Sequence, residues 1–284
     1  KNYFDLISHY GYSGPIVKSN NKIKLVQEFR KEFSRWCIRN NIVSEFIRFH
    51  PLLNNHADFE SELTVKKHNK TVFINLNADE TTLLENLNKK TRNLMRKAKK
   101  QGVEIEESSD IKTLTSLYLG TMEKNNANLK YYFPAEFFCK TRDNLKDNLS
   151  LFLAKIENKI VAASMFIHKN KFCHYHFSGS DPNYLWAAPN NLLLWHVMLW
   201  AKKKGFEKFH LGGGRGKDDS LFHFKSGFSS DFAHFYSGRF IHNQEIYRKF
   251  SMFRKKFEST DEDEFFPFYR KPLNAVNLAL QKGI

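Results

Sequence analysis

Apolar residues recur every three to four positions between Ile23 and Asn40, at Leu25, Phe29, Phe33, Trp36 and Cys37, which predicts an amphipathic helix. Alternation over Ser44–His50 predicts a short strand stopped by Pro51, with Arg48 and His50 on one face and Ile47 and Phe49 on the other. Val65–Lys67 and Thr71–Leu76 read as two adjacent strands, or a hairpin, around His68-Asn69-Lys70. A helical stripe of Leu84, Leu87, Thr91, Leu94, Met95 and Ala98 predicts one helix over Thr81–Gln101, closed by Gly102 and followed by a strand at Val103–Glu106. Beyond Asp110 the pattern predicts helices at Ile111–Glu123 and Pro134–Asp147, then a meander of Leu151–Glu157, Lys159–His168 and Lys171–Ser178. A helix at Asn190–Lys204, a strand at Phe206–Leu211, a glycine turn, a strand at Asp231–Arg239 and a helix at Asn243–Phe257 complete it, with Ser259–Glu264 an acidic surface loop.

Composition narrows the class. At 284 residues and 41% hydrophobic, the chain can bury one large core or two modest ones. No apolar run approaches the roughly 20 residues of a membrane helix. Three widely spaced cysteines, Cys37, Cys139 and Cys173, argue against a disulfide framework or a cysteine zinc site, and fit a cytoplasmic protein. The net charge of +15 favours an acidic partner: nucleic acid, a phosphorylated precursor or an anionic membrane surface. Much of it is local, because seven of the twelve residues from Lys89 to Lys100 are basic. That run reads as a solvated helix face or as a phosphate or RNA contact.

Candidate chemistry concentrates in Pro189–Phe228. The triple glycine Gly212-Gly213-Gly214 follows a predicted strand and can bring backbone N–H groups close to a ligand. Lys225 lies among Phe222, Phe224 and Phe228, neighbours that would partly desolvate it. A lone lysine in an aromatic run is a candidate for charge stabilisation during chemistry. No Ser-His-Asp or Cys-His arrangement suggests a covalent nucleophile. His174 and His176 share a face of a predicted strand but lack a third ligand, so no metal site is expected.

The order of helix pair, meander, helix, strand, glycine turn and late strand resembles a GNAT-type N-acetyltransferase domain. The segments KIVAASMFIHKNKFCHYHFSGSD, PNNLLLWHVMLWAKKKGFEKFHLGGG and LFHFKSGF, with the basic helix running into Gly102-Val103, resemble more narrowly the Fem-type transferases that build peptidoglycan interpeptide bridges. The loop Tyr10–Pro15 and the tail Phe265–Arg270 are similar to the surface-polysaccharide acyltransferases of that group. The resemblance implies an α/β (α+β) GNAT-like fold made of two GNAT-like halves with mixed central sheets. It divides the chain into 1–109, 110–257 and a tail, 258–284, packing back on the body.

It also implies Phe224-Lys225 as the catalytic pair and an acceptor held by a positive residue and tyrosines, for which Lys124, Tyr132 and Tyr175 are the matching positions. Lys124 stands where an arginine is usual, which loses a bidentate phosphate contact. Arg48 and His50 are further substrate-binding candidates, and Gly212, Gly213 and Gly214 the donor-binding ones. Gly212–Gly216 precedes no clear helix N-terminus, so an ordinary acyl-CoA pyrophosphate loop is not expected. The implied function is transfer of an aminoacyl or acyl group to an amine of a cell-envelope precursor, a peptidoglycan or amino-sugar glycan carried on a nucleotide or lipid. Aminoacyl-tRNA is favoured as donor, with no tightly bound cofactor and with peripheral membrane contact conceivable. The alternatives are an acyl-CoA-dependent N-acetyltransferase of amino sugars in polysaccharide biosynthesis and, from another class, a non-catalytic RNA-binding module.

Overall fold

The computed structural model describes residues 1–214, 216, 219–256 and 265–271. The acidic loop expected at Ser259–Glu264 and the end of the tail lie outside them. The described residues form a mixed α/β protein with two compact units: Lys1–His68 together with the described residues of His234–Ile284, and Asn69–Ala233. Position 109, the expected end of the first half, falls inside the second unit. Two strands, β3 (Thr64–Asn75) and β9 (Phe232–Ile241), carry the chain from one unit to the other.

In the first unit a short strand, β1 (Phe4–Ile7), runs parallel to β2 (Ile42–Arg48), and β2 runs antiparallel to β9. Helix α1 (Lys22–Arg39) buries Val26, Arg30 and Cys37. Arg30 forms an ion pair with Glu45 of β2, and His242 Nε2 lies 3.8 Å from the same carboxylate. Burial pulls the Glu45 carboxyl upward, but hydrogen bonds from His242 and Arg30 outweigh it and hold the group below the usual carboxylate range. Helix α8 (Gln244–Lys255) and the segment Phe265–Lys271 also belong to this unit. Phe268 is fully buried, Tyr269 donates to Asp5, and Arg270 pairs with the same carboxylate.

In the second unit the strand order is β3, β8 (Lys208–Gly212), β7 (Phe172–Ser180), β6 (Lys159–Lys169), β5 (Leu149–Ile156), β4 (Glu104–Ser108). Every neighbouring pair is antiparallel except β7 and β8. A parallel pair needs a crossover, supplied by α6 (Pro189–Lys203). Strand β5 is covered on both faces. Phe152, Ala154 and Ile156 face a core with α6 and α3 (Lys89–Lys100), while Leu151 and Leu153 face α4 (Ile111–Lys124) and α5 (Ala135–Leu145). Such burial explains why its sequence reads as a nearly continuous apolar run.

The structure corrects four local expectations. Residues 64–75 form one long strand with a register shift at Val72/Phe73, because His68-Asn69-Lys70 lacks the glycine that a tight hairpin turn favours. Residues 81–101 form two helices, α2 (Glu80–Asn86) and α3. Asn88 turns out of helical geometry to cap α3, its Oδ1 accepting from Thr91 N at 2.7 Å. Strand β1 was not apparent from the pattern. Finally, a helix does follow the glycine turn: α7 (Ser220–Ser226) carries Phe224 and Lys225.

Candidate functional site

Lys225 lies near the end of the short helix α7 and is buried, 8% exposed. Its Nζ donates to Gly213 O at 2.7 Å and lies 5.8 Å from the Tyr175 ring centroid. Burial pushes the amine down to about 8, against the opposing pull of Asp219. An ammonium has three N–H donors, and Gly213 O is the one hydrogen-bond acceptor recorded for it among the described residues.

The glycines explain how the lysine fits. Gly212 adopts φ +79°, a left-handed conformation, and a Cβ there would lie 3.3 Å from Lys225 Nζ. At Gly214 a Cβ would sit 2.3 Å from Asp219 Oδ1. Gly213 supplies the carbonyl that anchors the ammonium. Gly212 and Gly214 therefore have packing roles beside Lys225 and Asp219, while a Cβ at Gly213 would lie 3.1 Å from Lys70 O of β3. Asp219 caps α7, accepting from Phe222 N at 2.9 Å and from Gly216 N at 2.8 Å. A carboxylate already occupies this helix N-terminus and disfavours a second anion there. The sequence signal for the cap was the acidic Asp218-Asp219-Ser220 run ahead of an aromatic segment.

Tyr175 reaches this site from β7. Its ring packs on Phe166 at 5.6 Å. Burial raises its phenol above the ordinary value, while hydrogen bonds with Ser178 and Ser164 act in the other direction. Those serines, 2.9 Å apart through their hydroxyls, had not been singled out from sequence. They meet because β7 bulges at His176: Tyr175 pairs with Phe166 but Phe177 with Met165, so the faces exchange. The bulge also removes the simple alternation on which a shared face for His174 and His176 was based. His174 Nδ1 instead lies 3.2 Å from His210 Nδ1. Phe224 is half-buried, packing edge-on against Phe228 at 5.6 Å.

The other candidates belong to other elements. Lys124 is exposed at the end of α4, and Tyr132 is half-buried in the following loop. No contact joins either to Lys225 among the described residues. Arg48 and His50 belong to the first unit, where Arg48 Nη1 donates to Ser8 O at 3.2 Å. His50 Nδ1 accepts from Leu52 N at 3.2 Å, and burial pushes the imidazole down to about 4. Both side chains thus have structural work within that unit.

The N-terminus of α6 contrasts with that of α7. Ala188 enters in a left-handed conformation, Pro189 occupies the first turn, and no side chain caps the helix. Asn190 Nδ2 donates to Ser180 Oγ at 2.6 Å, while its Oδ1 is buried without a hydrogen-bond partner among the described residues.

A family model described as an acetyltransferase (GNAT) domain matches residues 85–242, more than half of the chain. The chain belongs to this GNAT acetyltransferase family. The matched segment contains the meander, the β7–α6–β8 crossover and α7, so Lys225 and its surroundings lie inside the GNAT domain. No curated protein matches the chain by sequence. Among solved structures, FemX superposes with a TM-score of 0.67 at 14% identity, covering 83% of this chain and 81% of that one. The C-terminal domain of a putative lysylphosphatidylglycerol synthetase from Agrobacterium fabrum gives 0.54 at 14% identity, with 78% and 75% covered. The L-PGS structure from Bacillus licheniformis gives 0.52 at 12% identity, with 73% and 71% covered. At such identities these structures share the fold. The family match and the fold together make the protein a GNAT-type acyltransferase.

Proposed function

We propose that this GNAT domain transfers an aminoacyl group from aminoacyl-tRNA to an amine of a nucleotide- or lipid-linked cell-envelope precursor. The observation that carries the chemistry is the buried Lys225 ammonium, anchored by Gly213 O. In the transfer, the acceptor amine attacks the donor's ester carbonyl. The carbonyl oxygen gains negative charge, Lys225 stabilises it, and as the amide forms the C–O bond breaks, the ester oxygen leaving with the electron pair and taking up the proton that the amine nitrogen gives up. Below about pH 8 the lysine is cationic, as this role requires. Tyr175, with its hydroxyl tied to Ser164 and Ser178, forms the wall beside the ammonium. Burial of the ammonium strengthens the interaction. Support for a donor other than acyl-CoA comes from the Asp219 carboxylate on the α7 N-terminus and from the surplus of positive charge. The cell-envelope acceptor rests on the sequence resemblance of the C-terminal half to Fem-type enzymes; Lys124 and Tyr132 are the proposed acceptor contacts.

A second reading, acyl-CoA-dependent N-acetylation of an amino sugar, is favoured by one observation. The N-terminus of α6 carries no side-chain cap, and such a terminus can receive a phosphate. Thermal stabilisation by each donor separates the two, since a true ligand raises the melting temperature by mass action. Charged tRNA should stabilise the protein and acetyl-CoA should not; the reverse result would make the enzyme an acyl-CoA transferase. With the productive donor and a panel of amine acceptors, Lys225→Met should lower turnover about 100- to 1000-fold, the usual worth of one oxyanion donor. Turnover within a few-fold of wild type would remove Lys225 from the mechanism.

A further inference from the structure

Helix α3 carries Lys89, Lys90, Arg92, Arg96, Lys97, Lys99 and Lys100 and not one acidic residue. Its buried side is Thr91, Met95 and Ala98, packed in the core shared with α6. The remaining arc is cationic apart from Asn93 and the half-buried Leu94. Arg92 donates to the backbone carbonyls of Glu85 and Leu87, and Arg96 to Asn93 Oδ1 at 3.2 Å. None of the seven is paired with a carboxylate among the described residues, whereas many other surface cations are, including Lys140 with Glu136 and Lys171 with Glu207. Such a concentration of like charge on one rigid helix opposes itself unless a polyanion neutralises it.

Position gives the arc its meaning. Gly227, two residues past Lys225, accepts from Asn88 N at 3.0 Å. A Cβ on Gly227 would lie 2.3 Å from Thr91 Oγ1. The first turn of α3 is therefore in backbone contact with the end of the helix that carries Lys225. From there the stripe Lys89, Arg96, Lys100 runs along the helix for about 16 Å at 1.5 Å per residue. That length spans several successive phosphates of one strand of a duplex. A lone pyrophosphate would engage one end of it. A bilayer surface fits less well, because a helix lying in a membrane interface presents aromatic and aliphatic side chains beside its cations, and this arc has none fully exposed.

We infer that the outward face of α3 is a docking surface for the phosphate backbone of an RNA stem, oriented so that one end of that RNA lies beside Lys225. The proposal deepens the aminoacyl-tRNA reading and rests on it for the direction of docking; RNA binding itself is measured without turnover.

The test compares two triple variants of equal charge change. One is Lys89→Glu/Arg96→Glu/Lys100→Glu. The other, a control on exposed lysines elsewhere in the same unit, is Lys112→Glu/Lys146→Glu/Lys169→Glu. A fluorescent tRNA acceptor-stem duplex is titrated at several salt concentrations, and anionic and neutral vesicles are tested in parallel. The α3 triple should weaken RNA binding at least tenfold and reduce the salt slope by about 2 to 3, because each lost phosphate contact in a duplex removes about 0.9. The control should lose much less and keep nearly the wild-type slope. Because charge reversal in the last turn of a helix can unfold it, the corresponding Lys89→Gln/Arg96→Gln/Lys100→Gln variant is measured with its melting temperature, and the same ranking is expected. Equal losses in the α3 and control triples would overturn the inference, as would vesicle binding that depends on α3 while RNA binding does not. Lys225→Met should bind RNA like wild type. If it does so and no donor supports transfer, the docking surface stands and the transferase reading falls.

Discussion

At the scale of single residues, Lys225 sets the pH behaviour of the site. The folded protein releases this proton at about 8, whereas an unfolded chain holds it to about 10.4. Charge on the buried amine is therefore what the fold disfavours, and stability should rise with pH between those two values as the folded state sheds the proton first. Turnover follows the opposite course, because a neutral amine cannot hold an oxyanion. The rate of the wild-type enzyme should fall as pH increases through about 8, giving an alkaline limb to the kcat/KM profile. Lys225→Arg, whose guanidinium stays charged, should move that limb upward by more than one pH unit while lowering the plateau. A limb that stays in place in this variant would assign it to another group. The neighbouring glycines were easy to see in sequence, but their reason was not. GGG suggests a cradle for phosphate, whereas Gly212 and Gly214 leave space for the Lys225 amine and the Asp219 carboxylate.

At the scale of elements, close backbone contacts fix what the side chains do. Gly179 of β7 lies under α4 so closely that a Cβ would meet Leu117 C and Tyr118 N at 2.2 Å. Gly179→Ala should therefore force the helix off the strand and cost about 3 kcal/mol or more, in line with strained core overpacking. Urea unfolding would register this as a lower midpoint at unchanged slope. The meander and α6 were readable from periodicity because their apolar patterns are long and their turns short. Two elements were misread for a common reason. The break between α2 and α3 and the helical state of Phe224-Lys225 both depend on one capping side chain, Asn88 and Asp219 respectively. A single cap changes local geometry without changing the apolar period around it. β3 was misread because a strand joining two compact units carries its polar residues in the middle, where a hairpin would place a turn.

At the scale of the molecule, the chain is organised as two compact units, and the proposed chemistry sits wholly in Asn69–Ala233. The other unit is held partly by its buried charges. Arg30 and Glu45 are each about 5% exposed, at 5% and 4%, and removing one partner of such a pair typically costs about 3–5 kcal/mol. Glu45→Gln should lower the melting temperature, and it should also flatten the stability profile in acid. The folded Glu45 carboxyl ionises below its unfolded value, so its contribution is present above about pH 4.5 and lost as pH falls through the folded value. A mutant whose stability falls with acid as steeply as wild type would show that other carboxylates govern the transition.

The sequence by itself determined the GNAT class of fold, the meander with its crossover helix, the cationic run on residues 89–100 and the choice of Lys225 as the residue to watch. These follow from periodicity, composition and residue chemistry, which are local and additive along the chain. Only the tertiary structure decided that Lys225 is buried on a helix, that Gly213 O holds it, that Tyr175 walls it and that α3 begins against Gly227. Each of these joins residues far apart in sequence through a bulge, a cap or a backbone contact of a few ångströms. Such contacts depend on how the faces of distinct elements meet in space, and one-dimensional spacing does not carry that information.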